Sequence, residues 1–296
     1  MIMKTILLLT DFSIRAEQAA GYALQLAQKT EANLLLCNMF LVPYVEPMTT
    51  QLAWPAEDYK TVEQESKDEL YELVERLNNK LSSENAKNSY RPSIEICSKS
   101  GSISEILKEI SDSHNIMMAV IGDHDKNGAL FFENHAKKII EKANFPVLVL
   151  PENEKFEDFD KIAFASDLSI SDIDVLHDVV AFAKLFDAEV LLTHVNDENG
   201  IDDEQDRDVK NFFKMVSAEV KYPKLNYKEV KSKSVTNGLD WLTDSDHIDL
   251  LVLVHRKRNF WYRLLEGSVT QRMANHLRKP LLVLPGVKVV ALLPVY

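Results

Sequence analysis

The chain has 296 residues, 46 acidic and 34 basic, for a net charge of −12 at neutral pH, and an isoelectric point near 5.2. That balance argues against general binding to nucleic acid or anionic membrane, each of which needs a net basic face. Hydrophobic residues make up 46%, enough for two domains with real cores. The two cysteines, Cys37 and Cys97, each sit in an apolar run and form neither a CxxC pair nor a zinc spacing. They read as small buried hydrophobes in a reducing, cytoplasmic setting. No apolar run is long enough to span a bilayer, and the first residues lead directly into a strand without the layout of a signal peptide.

In chain order, residues 6–9 are a short apolar run of the kind buried in a parallel sheet. Thr10-Asp11-Phe12-Ser13 ends it, and Ser13 is placed to cap a helix over 14–29 with a face of alanines. Residues 34–39 form a second strand. Residues 41–59, punctuated by Pro43, Pro47 and Pro55, read as a long crossover loop. An amphipathic helix over 63–81 follows, then a strand at 93–97. A capping box, Ser102 to Glu105, opens a helix that runs to Ser111. A strand at 117–121, a helix reaching Lys142 and a strand at 147–150 complete the first half.

Residues 152–160 are acidic, lack an apolar period and read as a linker. The pattern then restarts. Ser166-Asp167-Leu168-Ser169 repeats the turn at Thr10-Asp11-Phe12-Ser13. A helix over 172–186, a strand at 190–195, an acidic loop at 196–208, a helix at 209–220, a strand at 225–230 and a short helix at 237–242 follow. Residues 250–285 then give a strand, a basic loop (His255 to Arg258), Gly267-Ser268 opening a helix, and a closing strand before Pro285. The run Pro280 to Pro285 matches Pro146 to Pro151, so the chain carries one unit twice. The expected division is 1–151, a linker at 152–160, 161–286, and an apolar tail at 287–296. Each half is α/β, an open, doubly wound parallel sheet with helical crossovers. Ligands on such sheets bind beyond the carboxyl ends of the strands, the rim that holds Asp11 and Asp167.

On these residues the chain resembles the universal stress protein family in its tandem form. The resemblance rests on the two Asp-bearing turns, His194-Val195, Gly122-Asp123-His124, Gly267-Ser268 and the closing Pro-apolar-Pro runs. It implies two domains of the adenine nucleotide alpha hydrolase-like fold related by a pseudo-twofold axis, with the last strand of each half pairing antiparallel. It also implies a nucleotide seat in ATP-binding members. There an acidic residue after the first strand holds adenine, and a Gly-x-x-Gly turn followed by Gly-Ser or Gly-Thr cradles ribose and phosphates. Carried onto this chain, the second-half seat comprises Asp167, Val195, Val254, Arg256, Lys257, Gly267 and Ser268. The first-half seat comprises Asp11, Gly122 and His124. The first half departs at Asp125 and at Glu133-Asn134, where carboxylates would face a triphosphate. In the second half, Val254 and Lys257 stand where both turn glycines belong. β-branched Val254 would resist a positive φ, and Arg256, Lys257 and Arg258 could supply charge in place of lost backbone donors.

Each functional reading has a plainer one beside it. Asp11 and Asp167 also suit Asx turns at a strand exit, and the basic loop also suits a solvated surface. Phe260, Trp261 and Tyr262 suit a base or an interface. Asp123, His124, Asp125 and His135 suggest a divalent metal only if the loop folds around one. No nucleophile elbow, HExxH or P-loop is present. The expectation is a non-catalytic cytoplasmic stress-response protein, nucleotide-sensitive through its second half. ATP or AMP is the ligand, and its partners are itself, an internal pseudo-dimer open to further dimerisation, and other proteins. The alternative is an ATP-binding module or slow ATPase confined to the second half.

Overall fold

The computed structural model describes residues 3–40, 56–83, 90–122, 133–196, 203–256 and 279–286. The first half contains β1 (Thr5–Thr10), α1 (Ile14–Lys29), β2 (Asn33–Phe40), α2 (Ala56–Ser83), β3 (Ile94–Ser100), α3 (Ile103–Ser113), β4 (Ile116–Gly122), α4 (Glu133–Lys142) and β5 (Val147–Leu150). The second contains β6 (Lys161–Ala165), α5 (Ser171–Lys184), β7 (Glu189–Asn196), α6 (Asp203–Glu219), β8 (Leu225–Lys231), α7 (Val235–Ser245), β9 (Leu250–His255) and β10 (Leu281–Pro285). All described strands join one sheet in the order β3-β2-β1-β4-β5-β10-β9-β6-β7-β8. Every neighbouring pair is parallel except β5 and β10, which run antiparallel with Leu148 opposite Leu282. These two leucines occupy equivalent places in the repeated closing run, so a pseudo-twofold axis passes between them. The pairing removes what would otherwise be an open strand edge in each half.

The central strands are apolar on both faces because helices cover both. On one face α1, α2, α5 and α6 pack over a core that includes Leu8, Leu36, Phe164, Leu192 and Val252 and runs unbroken across both halves. On the other, α3, α4 and α7 pack over Leu7, Leu35, Ala163, Leu191 and Leu251. Successive strand residues thus serve opposite cores, the period-two consequence of the pleat.

Residues 152–160 behave differently from a plain linker. They form neither helix nor strand, but Phe159 is buried. Its ring sits 5.9 Å from Phe182 on α5 and 4.8 Å from Phe186 just beyond that helix. Phe156 packs edge-on against Tyr22 of α1 at 5.1 Å. The acidic run therefore carries an aromatic staple from the first helix of one half to the first helix of the other. Lys29 binds Asp158 at 2.6 Å and Arg15 binds Glu152 at 3.0 Å, and both bridges attach the same segment to α1.

Two helix starts differ from expectation. α2 begins at Ala56, inside the expected crossover loop, and α6 begins at Asp203, inside the expected acidic loop. Acidic residues open both, Glu57-Asp58 and Asp203-Glu204, and they read as loop residues in the sequence although acids favour a helix N-terminus. The remainder of 41–55 and the tail 287–296 lie outside the described residues.

Candidate functional site

The two carboxyl rims start from one backbone turn. In the first half Thr10 Oγ1 accepts from Phe12 N at 3.1 Å, and Asp11 Oδ1 accepts from Ser13 N at 3.1 Å. In the second half Ser166 Oγ accepts from Leu168 N at 2.9 Å, and Asp167 Oδ1 accepts from Ser169 N at 3.1 Å. Phe12 and Leu168 each take φ 63°, a left-handed residue that neither side chain favours. The short side-chain bonds on either side hold it there. The strand-end carbonyl is also held in both copies. Asn38 Nδ2 donates to Thr10 O at 2.8 Å, and His194 Nδ1 lies 2.8 Å from Ser166 O. A carbonyl only accepts, so His194 carries its proton on Nδ1. Both aspartates therefore make the Asx turn, whatever else they contact.

From this common turn the copies diverge. In the first half Ser13 Oγ accepts from Ala16 N at 3.2 Å and caps α1. Helix α2 then closes over the rim with a buried serine. Ser66 Oγ donates to Asn38 Oδ1 at 3.0 Å and lies 2.7 Å from Ser98 Oγ, so Ser98 is the donor of that pair. Gly122 ends β4 where an added Cβ would lie 3.3 Å from the carbonyl oxygen of Arg15. Its φ is not positive. Close approach of the α1 backbone is what calls for glycine here, and a left-handed conformation plays no part.

In the second half Ser169 makes no side-chain cap. Helix α5 opens with tighter bonds, Asp172 N to Ser169 O at 2.8 Å and Ile173 N to Ile170 O at 3.1 Å. Asp172 stands where the first half has Ala16, and it is fully buried. Its Oδ2 accepts from Ser166 Oγ at 2.6 Å. Its Oδ1 is bound by Arg256 Nη2, which also reaches Ser171 Oγ at 3.0 Å. Arg256 Nη1 binds Asp167 Oδ1. One guanidinium thus bridges the aspartate expected to hold adenine and a buried aspartate behind it. Two residues expected to grip opposite ends of a nucleotide instead grip each other.

The charges are set by this contact. Burial pushes the Asp167 carboxyl up, but the hydrogen bond and charge of Arg256 outweigh it and hold the group below the usual carboxylate range. Burial dominates at Asp172 and keeps it above that range, although Ser166 and Arg256 pull the other way. Burial works against the Arg256 charge too, and the two carboxylates more than offset it.

The other expected site residues divide into two groups. Val254 ends up in the core beneath α5 in ordinary strand conformation, so the expected conflict between its branched side chain and a positive φ does not arise. Strand register places it opposite Leu284, as Gly122 is opposite Leu150, so the two positions are equivalent. Val195 packs toward α7, where Gly238 leaves it room; a Cβ there would come within 2.6 Å of Val195 Cγ1. His124, Lys257, Gly267 and Ser268 lie outside the described residues, as do Asp123, Asp125 and the aromatic run 260–262. Among the described residues no group of three or more His, Cys, Asp or Glu side chains is placed to hold a metal ion. No helix among them is long and apolar enough to cross a membrane. Asp172 was not singled out in the sequence. Its one signal was its alignment with Ala16, an acid where the other copy has a buried alanine.

The family model described as "Universal stress protein family" matches residues 3–151 and again 158–285. No curated protein matches the sequence. Among solved structures, a universal stress protein from Archaeoglobus fulgidus DSM 4304 superposes with TM-score 0.62 at 14% identity, covering 95% of this chain and 96% of its own. A protein of unknown function from Pseudomonas aeruginosa PAO1 gives TM-score 0.54 at 15% identity, covering 96% and 92%. The cytoplasmic domain of a prokaryotic cation chloride cotransporter gives 0.54 at 10% identity, covering 98% of each chain. At these identities the likeness is one of fold.

Proposed function

The chain belongs to the universal stress protein family, and from that premise we propose that it is a non-catalytic stress-response protein of the cytoplasm that answers to adenine nucleotide through its second half. The observation that carries this reading is the Arg256 bridge between Asp167 and Asp172. With the bridge closed, Asp167 Oδ1 is engaged by Arg256 Nη1 and Ser169 N, so an adenine amino group would compete with a cation for that oxygen. A nucleotide enters by exchange. Its phosphates offer Arg256 a new anion, and Asp167 is released to the base. Opening the bridge is costly because Asp172 stays buried behind it. The second half therefore responds to ligand concentration and is not permanently loaded. The first half, with α2 closed over its rim through Ser66, serves as the structural partner. The cytoplasmic placement is supported by the free thiols of Cys37 and Cys97.

Calorimetric titration of the full chain with ATP and Mg²⁺ tests this. Heat at one site per chain is expected, with affinity raised roughly tenfold or more, about 1.4 kcal/mol, in Asp172→Ala, which loosens the bridge and keeps Arg256 for the phosphates. Ser268→Glu is expected to abolish the heat by placing a carboxylate in the Gly-Ser seat. No heat from wild type or from Asp172→Ala would remove the nucleotide reading and leave a protein-contact role. Sustained phosphate release from ATP, lost in Ser268→Glu, would establish the slow ATPase instead.

A further inference from the structure

The first half carries a chemical pair that the second lacks. Cys37 on β2 and Cys97 on β3 stand directly opposite each other in the parallel ladder. Adjacent strands lie about 4.8 Å apart, within the about 4.4–6.8 Å that Cα atoms of a disulfide require. Paired residues also project from the same face of a sheet. Both cysteines are free thiols, and each is close enough to the other to shift its acidity. Cys37 is fully buried among the apolar residues of the α3 face, and Cys97 is partly exposed beside them. Lys99, two residues along on the same face, adds a cation that is itself tied to Glu109 at 2.5 Å.

The packing does not demand thiols here. In the second half the equivalent neighbours are Thr193 and Lys228. Thr193 Oγ1 is buried without a hydrogen-bond partner among the described residues. Lys228 turns outward to Asp246 at 2.6 Å. The same two strands are thus built without sulfur.

We infer that Cys37 and Cys97 are an oxidisable dithiol that takes hydrogen peroxide as oxidant and closes to a disulfide within the chain, tying edge strand β3 to β2. Exposure sets the order. The Cys97 thiolate attacks a peroxide oxygen; the S–O bond forms as the O–O bond breaks, and the departing oxygen leaves as water after taking up a proton. Cys97 is now a sulfenic acid. The Cys37 sulfur then attacks the Cys97 sulfur, the S–O bond breaks, and the hydroxyl leaves with the Cys37 proton as a second water. The peroxide is reduced by two electrons and the two thiols are oxidised by two. The thiol acidities agree with that order. The neighbouring Cys37, helped by Lys99, holds the Cys97 thiol below the usual cysteine range against burial and Glu109. The neighbouring Cys97, with burial, holds Cys37 well above it.

The test uses the full chain, which has two cysteines in all, treated with hydrogen peroxide and followed by thiol counting in urea and by intact mass. Both thiols are expected to disappear together, with loss of two hydrogens from the thiols, a monomer on non-reducing electrophoresis, and full recovery with dithiothreitol. Cys97→Ser is expected to slow loss of the remaining thiol by roughly tenfold or more. In Cys37→Ala, or Cys37→Val if the alanine variant fails to fold, dimedone is expected to trap a sulfenic acid at Cys97. Two thiols still titratable after peroxide has oxidised methionine, or disulfide-linked dimers in place of an internal bridge, would overturn the pair. None of these readouts involves nucleotide, so they stand apart from the function proposed above.

Discussion

The turn after β1 and the turn after β6 are one backbone put to two uses. Thr10 to Ser13 and Ser166 to Ser169 share their hydrogen bonds and their left-handed residue. The copies part at the helix that each turn opens. In the first copy a serine caps the helix, an alanine lies beneath it, and a glycine at the end of β4 lets the helix backbone close in. In the second copy no side chain caps the helix, an aspartate replaces the alanine, and an arginine beyond β9 reaches back to neutralise it. A repeated scaffold can keep its backbone while exchanging a local helix cap for a long-range charge bridge. The aspartate named by the resemblance is present in both copies, but its surroundings are not.

Breaking the bridge is expected to have the largest effect. Arg256→Ala leaves Asp172 buried with only Ser166, and a stranded buried charge costs about 3–5 kcal/mol. Urea unfolding measures this directly, and Arg15→Ala, which removes a half-exposed bridge to Glu152 at the matching rim, is expected to cost about 1 kcal/mol or less. Gly122→Val next imposes the second copy's residue on the first. The new side chain meets the Arg15 carbonyl, so a loss of about 1–3 kcal/mol is expected from overpacking. The caps give a smaller contrast. Ser13→Ala should cost about 0.5–2 kcal/mol by loss of the α1 cap, whereas Ser169→Ala, which removes no cap, should stay within about 0.5 kcal/mol.

Acid titration gives the finest contrast, because the two bridged aspartates have opposite signs. Asp167 is held below its ordinary value of 3.8. Its contribution to stability is present above 3.8 and is lost as pH falls through its lower folded value. Asp172 is held above 3.8. Its contribution is present below 3.8 and is lost as pH rises through its higher folded value. Relative to wild type, Asp167→Asn is expected to flatten the stability curve below pH 3.8, and Asp172→Ala to flatten it above. Chemical denaturation at a series of pH values checks both.

Much of the fold was legible because buried parallel strands are short apolar runs with turn residues at both ends. β5, with its flanking prolines, and β1, with Asp11 behind it, are examples. The repeat made each reading count twice. The buried role of the 152–160 segment was hidden by its acids. Phe156 and Phe159, three apart inside that run, were the signal that it packs. The start of α2 was hidden because Ala56 to Tyr59 have no apolar period, and only the acids Glu57-Asp58 marked the spot. At the site, the Asx turns were legible from Asp-x-Ser alone, since they need only local geometry. The Arg256 bridge was not, because it joins positions 84 and 89 residues apart. Sequence placed Arg256 on the correct rim and assigned its charge to a phosphate. It binds the aspartate that drew attention, Asp167, together with Asp172 in the first turn of α5.

The measurement that bears most directly on the difference between the two rims is a double-mutant cycle of Arg256→Ala and Asp172→Ala in urea unfolding of the full chain. A coupling energy of about 2–3 kcal/mol is expected, at the upper end for residues in direct contact, with the double variant more stable than Arg256→Ala alone because Ala16 shows that the turn folds well over an alanine. Losses that simply add, with coupling below about 0.5 kcal/mol, would contradict the bridge and return Arg256 to the solvated surface.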